Sequence, residues 1–285
     1  MATRTWTGAV DGDWSDLNNW DEGAVPISGD DVFIVSGSVD IDGGDYSAVT
    51  LDRLVVGARY RGTIATTGTK LQINATDLDY AGNGDMAWFY GTYGTVTVQD
   101  TSTNTQALNL AGLSVSDTIG GIRVLGGKGT INVASNCEIT TTIEQIGADS
   151  VTLTIADGTT IGGALTLTID SGKVELSEAV PTVNMLGGFL EIDVDGGTFT
   201  TVSQYGGKIQ HSPSDSCTIT TLVIYSGKFD SSESTAPSFT ITNLTIHEDG
   251  TLDERSGLAN AIYTNAINME GGEIRYDAGR ELTIT

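Results

Sequence analysis

Thr166-Leu-Thr-Ile-Asp-Ser-Gly-Lys-Val174 and Thr221-Leu-Val-Ile-Tyr-Ser-Gly-Lys-Phe229 match position for position within a chain of 285 residues. Each has apolar residues one and three places after the first Thr, a Gly six places after it, and an apolar residue beyond the Gly. This pattern indicates a solenoid with one coil per repeat, because a single coil cannot bury its apolar face alone. Copies begin at Thr152, Thr166, Thr182, Thr201, Thr221, Asn243 and Asn265, at intervals of 14, 16, 19, 20, 22 and 22 residues. The growing intervals predict coils that widen toward the C-terminus.

The alternation within each copy predicts a strand, a turn and a second strand. Gly occupies the turn, where a positive φ or a close backbone approach is favoured. No stretch has the 3.6-residue apolar period of a helix. The sequence therefore predicts an all-β fold, a single-stranded parallel β-helix with an N-terminal Trp-rich capping segment. The residues predicted to point inward are Leu167, Val183, Val202, Leu222 and Leu244, then Ile169, Met185, Ile224 and Ile246, then Val174, Leu190, Ile209, Phe229 and Leu252.

Three segments differ in regularity. Residues 1–36 are predicted to be a capping or attachment segment, residues 37–120 irregular early coils with an aromatic loop, and residues 121–285 the regular solenoid. An elongated coil grows without a second globular core, so the length does not require a second domain.

The net charge of −24 excludes nucleic acid and an anionic membrane as partners, since both need a basic surface. The N-terminus lacks the apolar stretch of a signal peptide, and no segment is long enough to cross a bilayer. We therefore expect a protein that is made and kept in a cytoplasm. No nucleophile motif, phosphate loop or paired metal-ligand spacing occurs, so we expect no catalytic residues, no cofactor and no metal.

Cys137 and Cys217 share a context, because each is followed by Ile-Thr-Thr after one intervening residue. We expect them at equivalent positions about four coils apart, or ~19 Å at the ~4.8 Å spacing of neighbouring strands. That distance is too long for a disulfide, so both are predicted to be buried thiols.

The segment from Thr5 to Ile34 holds Trp6, Trp14 and Trp20, three of the four Trp residues of the chain. Large aromatic side chains held by Asn, Asp and Gly turns can cover the first open coil of a solenoid. The segment reads Trp-Thr-Gly, Asp-Gly-x-Trp, Asn-Trp, Val-Pro and Gly-Asp-Asp-Val-x-Ile. It resembles the N-terminal segment of β-solenoid proteins from bacterial surfaces and bacteriophage virions. The resemblance covers this segment alone and implies architecture rather than activity.

Trp88, Phe89, Tyr90 and Tyr93 form the most aromatic patch of the chain. Two interpretations stay open, a platform for sugar rings and a loop packed over the coil or against another subunit, and we favour the second because aromatic residues dominate interfaces.

Acidic residues invite metal and catalytic interpretations that the sequence does not favour. Asp11, Asp13, Ser15 and Glu22 have the spacing of calcium ligands in an EF-hand, but Asp16 occupies the position that needs Gly, so turn formation is the expected role. The acidic residues Glu175, Glu191, Asp230 and Asp253 are predicted to pair with Lys173, Lys208 and Lys228 across strands. His211 and His247 are predicted to be solvated surface residues.

A further column follows the inward residues near the Gly corner. Its exposed apolar character predicts an interface, and we expect a homo-oligomer, a trimer, joined along the coil. The alternative is that these side chains cover their own coil. The residues are Leu186, Tyr205, Tyr225, His247 and Met269, with Phe189 on the outer face nearby.

Three functions fit these features. A non-catalytic virion protein of a bacteriophage, either a capsid decoration or a tail-associated protein, fits the absent export signal, the coil, the acidity and the resemblance. Its partners would be copies of itself and other capsid or tail components. A receptor- or glycan-binding adhesin or tailspike-like protein fits the aromatic patch, and a polysaccharide-cleaving β-helix enzyme fits the fold alone. We expect the first.

Overall fold

The computed structural model describes residues 2–84, 86–99, 106–114, 116–212, 216–232, 238–255, 260–265, 267–276 and 283–284. Over these ranges the chain is all-β, and its one helix is a three-residue 3-10 turn at Leu17–Asn19. The strands pair in parallel and stack as a β-solenoid of about ten turns, which confirms the predicted parallel β-helix. Its buried apolar residues form one continuous core along the solenoid.

The strands of the first half are β1 (Thr3–Thr5), β2 (Asp31–Gly37), β3 (Gly44–Tyr60), β4 (Leu71–Tyr80), β5 (Met86–Tyr90), β6 (Tyr93–Gln99), β7 (Gln106–Ala111), β8 (Thr118–Gly126), β9 (Lys128–Val133), β10 (Glu138–Gln145) and β11 (Ser150–Ile155). The strands of the second half are β12 (Thr160–Ile161), β13 (Thr166–Ile169), β14 (Lys173–Leu176), β15 (Thr182–Met185), β16 (Phe189–Ile192), β17 (Thr198–Gln204), β18 (Lys208–His211), β19 (Cys217–Asp230), β20 (Ser238–Asp253), β21 (Asn260–Tyr263), β22 (Ile267–Arg275) and β23 (Thr283–Ile284).

Two ladders of strands run nearly the whole length of the solenoid. The first joins β1, β2, β3, β4, β6, β8, β10, β13, β15, β17, β19, β20 and β22. The second joins β4, β5, β7, β9, β11, β14, β16, β18, β19, β20 and β22. The long strands β19 and β20 bend round the corner and belong to both ladders.

The predicted inward residues of the C-terminal repeats are all buried. Thr166, Thr182, Thr201, Thr221 and Asn243 are ladder partners in successive coils, as the repeat predicts. The strands observed within residues 37–120 belong to the same ladders, so the early coils continue the solenoid.

Two of the predicted repeat starts are wrong. Thr152 lies on the second ladder opposite Lys173, and the partner of Thr166 in the preceding coil is Thr142. The coil before Thr166 is therefore 24 residues long and the coil after it 16, so the widening toward the C-terminus begins only at Thr166. The last copy is displaced as well, because Leu244 pairs with Ile267, one residue later than a start at Asn265 requires, and the register shifts back between Glu248 and Thr251 of β20.

Gly172 shows why the corners need glycine. Its φ is +72°, and a Cβ there would lie 2.3 Å from the backbone oxygen of Ala148 in the coil before. Only a residue without a side chain permits this approach between neighbouring coils.

Cys137 and Cys217 are buried and free. Four ladder steps separate their coils, through Ile143, Leu167, Val183, Val202 and Leu222. Burial raises the pKa of Cys137 to about 11 and that of Cys217 to about 12.

We expect thiol titration under denaturing, non-reducing conditions to find two free groups per chain. The native protein should react slowly, because both thiols are buried and protonated at neutral pH. An intramolecular bridge detected by mass spectrometry would contradict the four-coil separation.

Candidate functional site

Trp6, Trp14 and Trp20 form an aromatic cluster at the N-terminal end of the solenoid. All three are buried, with ring centroids 4.8 Å apart for Trp14 and Trp20, 5.2 Å for Trp6 and Trp20, and 6.3 Å for Trp6 and Trp14. Trp14 also lies 5.9 Å from the ring of Tyr46 in the first coil. The indole N–H of Trp20 donates to the backbone oxygen of Trp14 at 2.9 Å. The cluster therefore packs against the first coil, as a cap requires.

Two buried polar side chains hold the cap in place, and sequence reasoning did not single them out. The Oδ1 atom of Asn19 accepts from the backbone N–H of Val10 at 2.9 Å, and its Nδ2 atom donates to Asp11 Oδ1 and the backbone oxygen of Asp13, both at 2.9 Å. The sequence did offer a signal for this role, because Asn19 lies directly before Trp20 in the Asn-Trp motif of the N-terminal segment.

Asp30 fastens β1 to the solenoid. Its carboxylate accepts from the backbone N–H of Ala2 at 2.9 Å and of Ile27 at 3.2 Å, and from Nε of Arg4 at 3.2 Å. Burial opposes ionisation, but these donors outweigh burial and lower the pKa of Asp30. The Gly-Asp-Asp-Val motif thus has a structural role at the cap.

The loop residues that resemble an EF-hand close turns. Asp13 Oδ1 accepts from the backbone N–H of Ser15 at 2.8 Å and from its hydroxyl at 2.7 Å, and Asp11 Oδ1 accepts from the backbone N–H of Asp13 at 3.0 Å. Among the residues that the structure describes, no three His, Cys, Asp or Glu side chains are grouped so as to hold a metal ion.

The aromatic patch does not form one surface. Phe89 and Tyr93 point into the core, whereas Trp88 and Tyr90 point outward and are partly exposed. The Tyr93 hydroxyl donates to the backbone oxygen of Ile73 at 2.8 Å, and the ammonium of Lys70 lies 4.3 Å from the Tyr90 ring centre. These residues lie in strands β5 and β6 rather than in a loop, so alternation along the strand divides them between core and surface.

Leu186, Tyr205 and Tyr225 lie together on one corner of the solenoid. They are among the most exposed large apolar residues of the described chain, at 46%, 47% and 40%. The Tyr205 and Tyr225 rings stack at 4.6 Å and the Tyr225 and His247 rings at 4.5 Å, each nearly parallel. His247 Nδ1 lies 2.9 Å from a carboxylate oxygen of Glu270 in the next coil.

Met269, which was predicted to join this column, lies elsewhere. Met269 is the ladder partner of Ile246 and so belongs to an inward position; it is exposed because no described strand pairs with the far side of β22. The register of β22, in which Leu244 pairs with Ile267, explains the difference. Phe189 lies on the second ladder, with the ammonium groups of Lys173 and Lys208 at 5.5 Å and 5.6 Å from its ring centre.

The predicted charge pairing across strands is confirmed. Across strands, Lys173 contacts Glu191 at 2.7 Å, Lys208 contacts Asp230 at 3.1 Å and Lys228 contacts Asp253 at 2.9 Å. Within a strand, Lys173 also contacts Glu175 at 2.6 Å and Lys228 contacts Asp230 at 2.8 Å. Burial opposes ionisation of Asp230, but Lys228, Ser232 and Lys208 outweigh it and lower its pKa to about 2. Each carboxylate in this column has a cationic partner, which disfavours a general-base role.

The expectation that His211 is a solvated surface residue is wrong. Its side chain is fully buried, 5.0 Å from the Phe239 ring and 5.8 Å from the Phe229 ring. Within the described residues, neither ring nitrogen has a hydrogen-bond partner, and burial lowers the pKa of His211 from 6.5 to about 4. A neutral imidazole sealed in the core has no access to a substrate.

Two buried glutamines were not predicted from the sequence either. The Nε2 atom of Gln145 lies 3.1–3.2 Å from the backbone oxygens of Val151, Ser171 and Lys173, and Gln204 makes similar contacts three coils further on. Both occupy positions that hold Ile169 and Met185 in other coils. They tie neighbouring coils together at the corner.

No protein-family model, curated protein or solved structure matches this chain. Within the described residues, the fold contains no helix of the length and apolarity that crossing a bilayer requires.

Proposed function

We propose that this protein is a non-catalytic structural component of a bacteriophage virion, either a capsid decoration or a tail-associated β-helix protein. One observation carries the proposal. The N-terminal segment that resembles those of virion β-solenoids is the segment whose Trp6, Trp14 and Trp20 pack onto the first coil of a continuous solenoid.

His211 and the carboxylates first considered as an acidic cluster are engaged in structural contacts. His211 is sealed in the core, and the carboxylates of the second ladder are paired with Lys. This arrangement supports a scaffold, whose partners would be copies of itself and other capsid or tail components.

Glycan binding by an adhesin or tailspike-like protein is the second candidate. It is favoured by Trp88 and Tyr90, which present partly exposed rings on the same outward side of β5.

We expect antibodies against the purified protein to label particles of the phage that encodes it, and particles from a deletion of its gene to stay unlabelled. Electron microscopy would place the label on capsid or tail. Recovery of the protein only in the soluble fraction, after the particles have been banded in a density gradient, would contradict the proposal. Retention on polysaccharide resin that Trp88→Ala abolishes would favour the glycan-binding candidate instead.

A further inference from the structure

In the C-terminal coils, one side of the solenoid carries almost no charge. In the five coils from Thr166 to Thr245, the ten outward positions of the first ladder hold Thr, Asn, Ser or Val and no ionisable residue. The ten outward positions of the second ladder in the same coils, from Lys173 to Asp253, include seven charged residues. We call the outward residues of the first ladder in these coils the neutral face.

An apolar corner borders the neutral face. It consists of the residue that follows the last inward position of the first ladder in each coil, and it runs from Val35 to Glu270. Five of the twelve exposed large apolar side chains of the described residues lie on it. These five are Val35, Ile146, Leu186, Tyr205 and Tyr225. We call this row the apolar edge.

The apolar edge contains few charges. Between Val35 and Ile146 it has none, since the residues there are Gly57, Ala81, Gln99 and Leu125. Asp170 is one carboxylate on it, and Glu270 at its end is already held by His247.

We propose that the neutral face and the apolar edge form the surface through which copies of this chain associate. With a net charge of −24, two copies repel each other wherever carboxylates meet. On the neutral face and along most of the apolar edge they meet without that repulsion. A basic partner would instead gain most from the acidic parts of the surface.

The stacking of the aromatic rings also favours a protein occupant. A sugar packs on the open face of an aromatic ring, but both faces of Tyr225 are covered, by Tyr205 at 4.6 Å and by His247 at 4.5 Å. The row therefore presents ring edges and hydroxyl groups, which suit contacts with side chains.

The apolar edge is long enough to align two copies. It spans eleven ladder steps, or about 53 Å at ~4.8 Å per step. The neutral face beside it covers four of these steps, and a strip there about 16 Å wide, the length of five strand residues, would cover roughly 300 Å² per copy. The rest of a standard interface, about 800 Å² per copy, would come from the remainder of the apolar edge and from the strands beside it, where Arg53 pairs with Asp79 and Arg123 with Glu144.

Light scattering and sedimentation of the full chain test this inference. We expect the wild-type protein to have the mass of an oligomer, and Tyr205→Asp together with Tyr225→Asp to raise the dissociation constant at least ~100-fold, because carboxylates would be buried at the contact. The matched control is Ile27→Asp with Leu113→Asp. It adds the same charge at exposed apolar residues off this surface, and should leave the mass unchanged.

A second variant guards against misfolding of the first. Thr182→Glu with Thr201→Glu places carboxylates on the neutral face and leaves the tyrosine stack untouched. This variant should be folded by circular dichroism and monomeric by light scattering and sedimentation. A wild-type monomer at high concentration, or oligomers that survive the folded variants, would overturn the inference. The result is independent of the virion proposal, because particle labelling and self-association are measured separately.

Discussion

Replacing Trp14 by Ala should lower the free energy of unfolding by ~3–5 kcal/mol, the cost of emptying the site of a buried Trp. Trp14 is 2% exposed, contacts both other cap tryptophans and joins them to Tyr46 of the first coil. In a solenoid each coil is stabilised by its neighbours, so loss of the cap should also loosen the first coil. Urea unfolding followed by circular dichroism measures the effect.

Trp88→Ala is the matched control, because it removes the same side chain from a partly exposed position on β5. Its expected cost is about 1 kcal/mol, near the centre of the distribution for point mutations. Equal losses in the two variants would show that the N-terminal cluster does not stabilise the solenoid as a cap.

The solenoid was predictable because its repeat fixes two kinds of position at once. An inward residue such as Leu167 needs a residue of similar kind in the next coil, and a corner such as Gly172 tolerates no side chain. Both constraints recur in the coils from Thr166 to Thr221, so they are visible in one sequence.

The face on which each copy lies was less predictable. Alternation with period two is the same on every side of the coil. Thr152 therefore matched the repeat pattern although it lies on the second ladder. The register of β22 was also missed, because the coil from Leu244 to Ile267 has 23 residues rather than 22, and this displaced Met269 by one position.

The buried polar residues were within reach of the pattern. His211 follows Ile209 by two residues on β18 and so shares its inward direction, and Gln204 occupies the position of Met185. Because His and Gln are polar, their side chains were expected to be exposed, but their inward positions on the strands bury them. The apolar edge was found only in part, because its upper members, such as Gly57 and Ala81, are unremarkable until the register of the coils is known.

Wild-type protein should lose about 3 kcal/mol more stability than a His211→Leu variant between pH 7 and pH 4. The pKa of His211 falls from 6.5 in the unfolded chain to about 4 in the folded protein, because burial disfavours the charged form. Below pH 6.5 the unfolded chain binds a proton that the folded protein does not, so stability falls with pH until about pH 4. Each unit of pKa difference contributes about 1.4 kcal/mol.

The pH window separates His211 from the acidic residues. The pKa of Asp230 is lowered from 3.8 to about 2, so its contribution to stability is lost only below pH 3.8.

Leu suits the site of His211 because Ile192 and Leu176 occupy the same position in the two preceding coils. His247→Leu is the matched control, since it removes an imidazole that is partly exposed at the surface, and it should keep the wild-type fall. Unfolding curves at pH 7, 6, 5 and 4 would give the difference. Parallel pH profiles for the wild type and His211→Leu would mean that the imidazole of His211 is protonated within the fold, and hence that water reaches a site packed between Phe229 and Phe239.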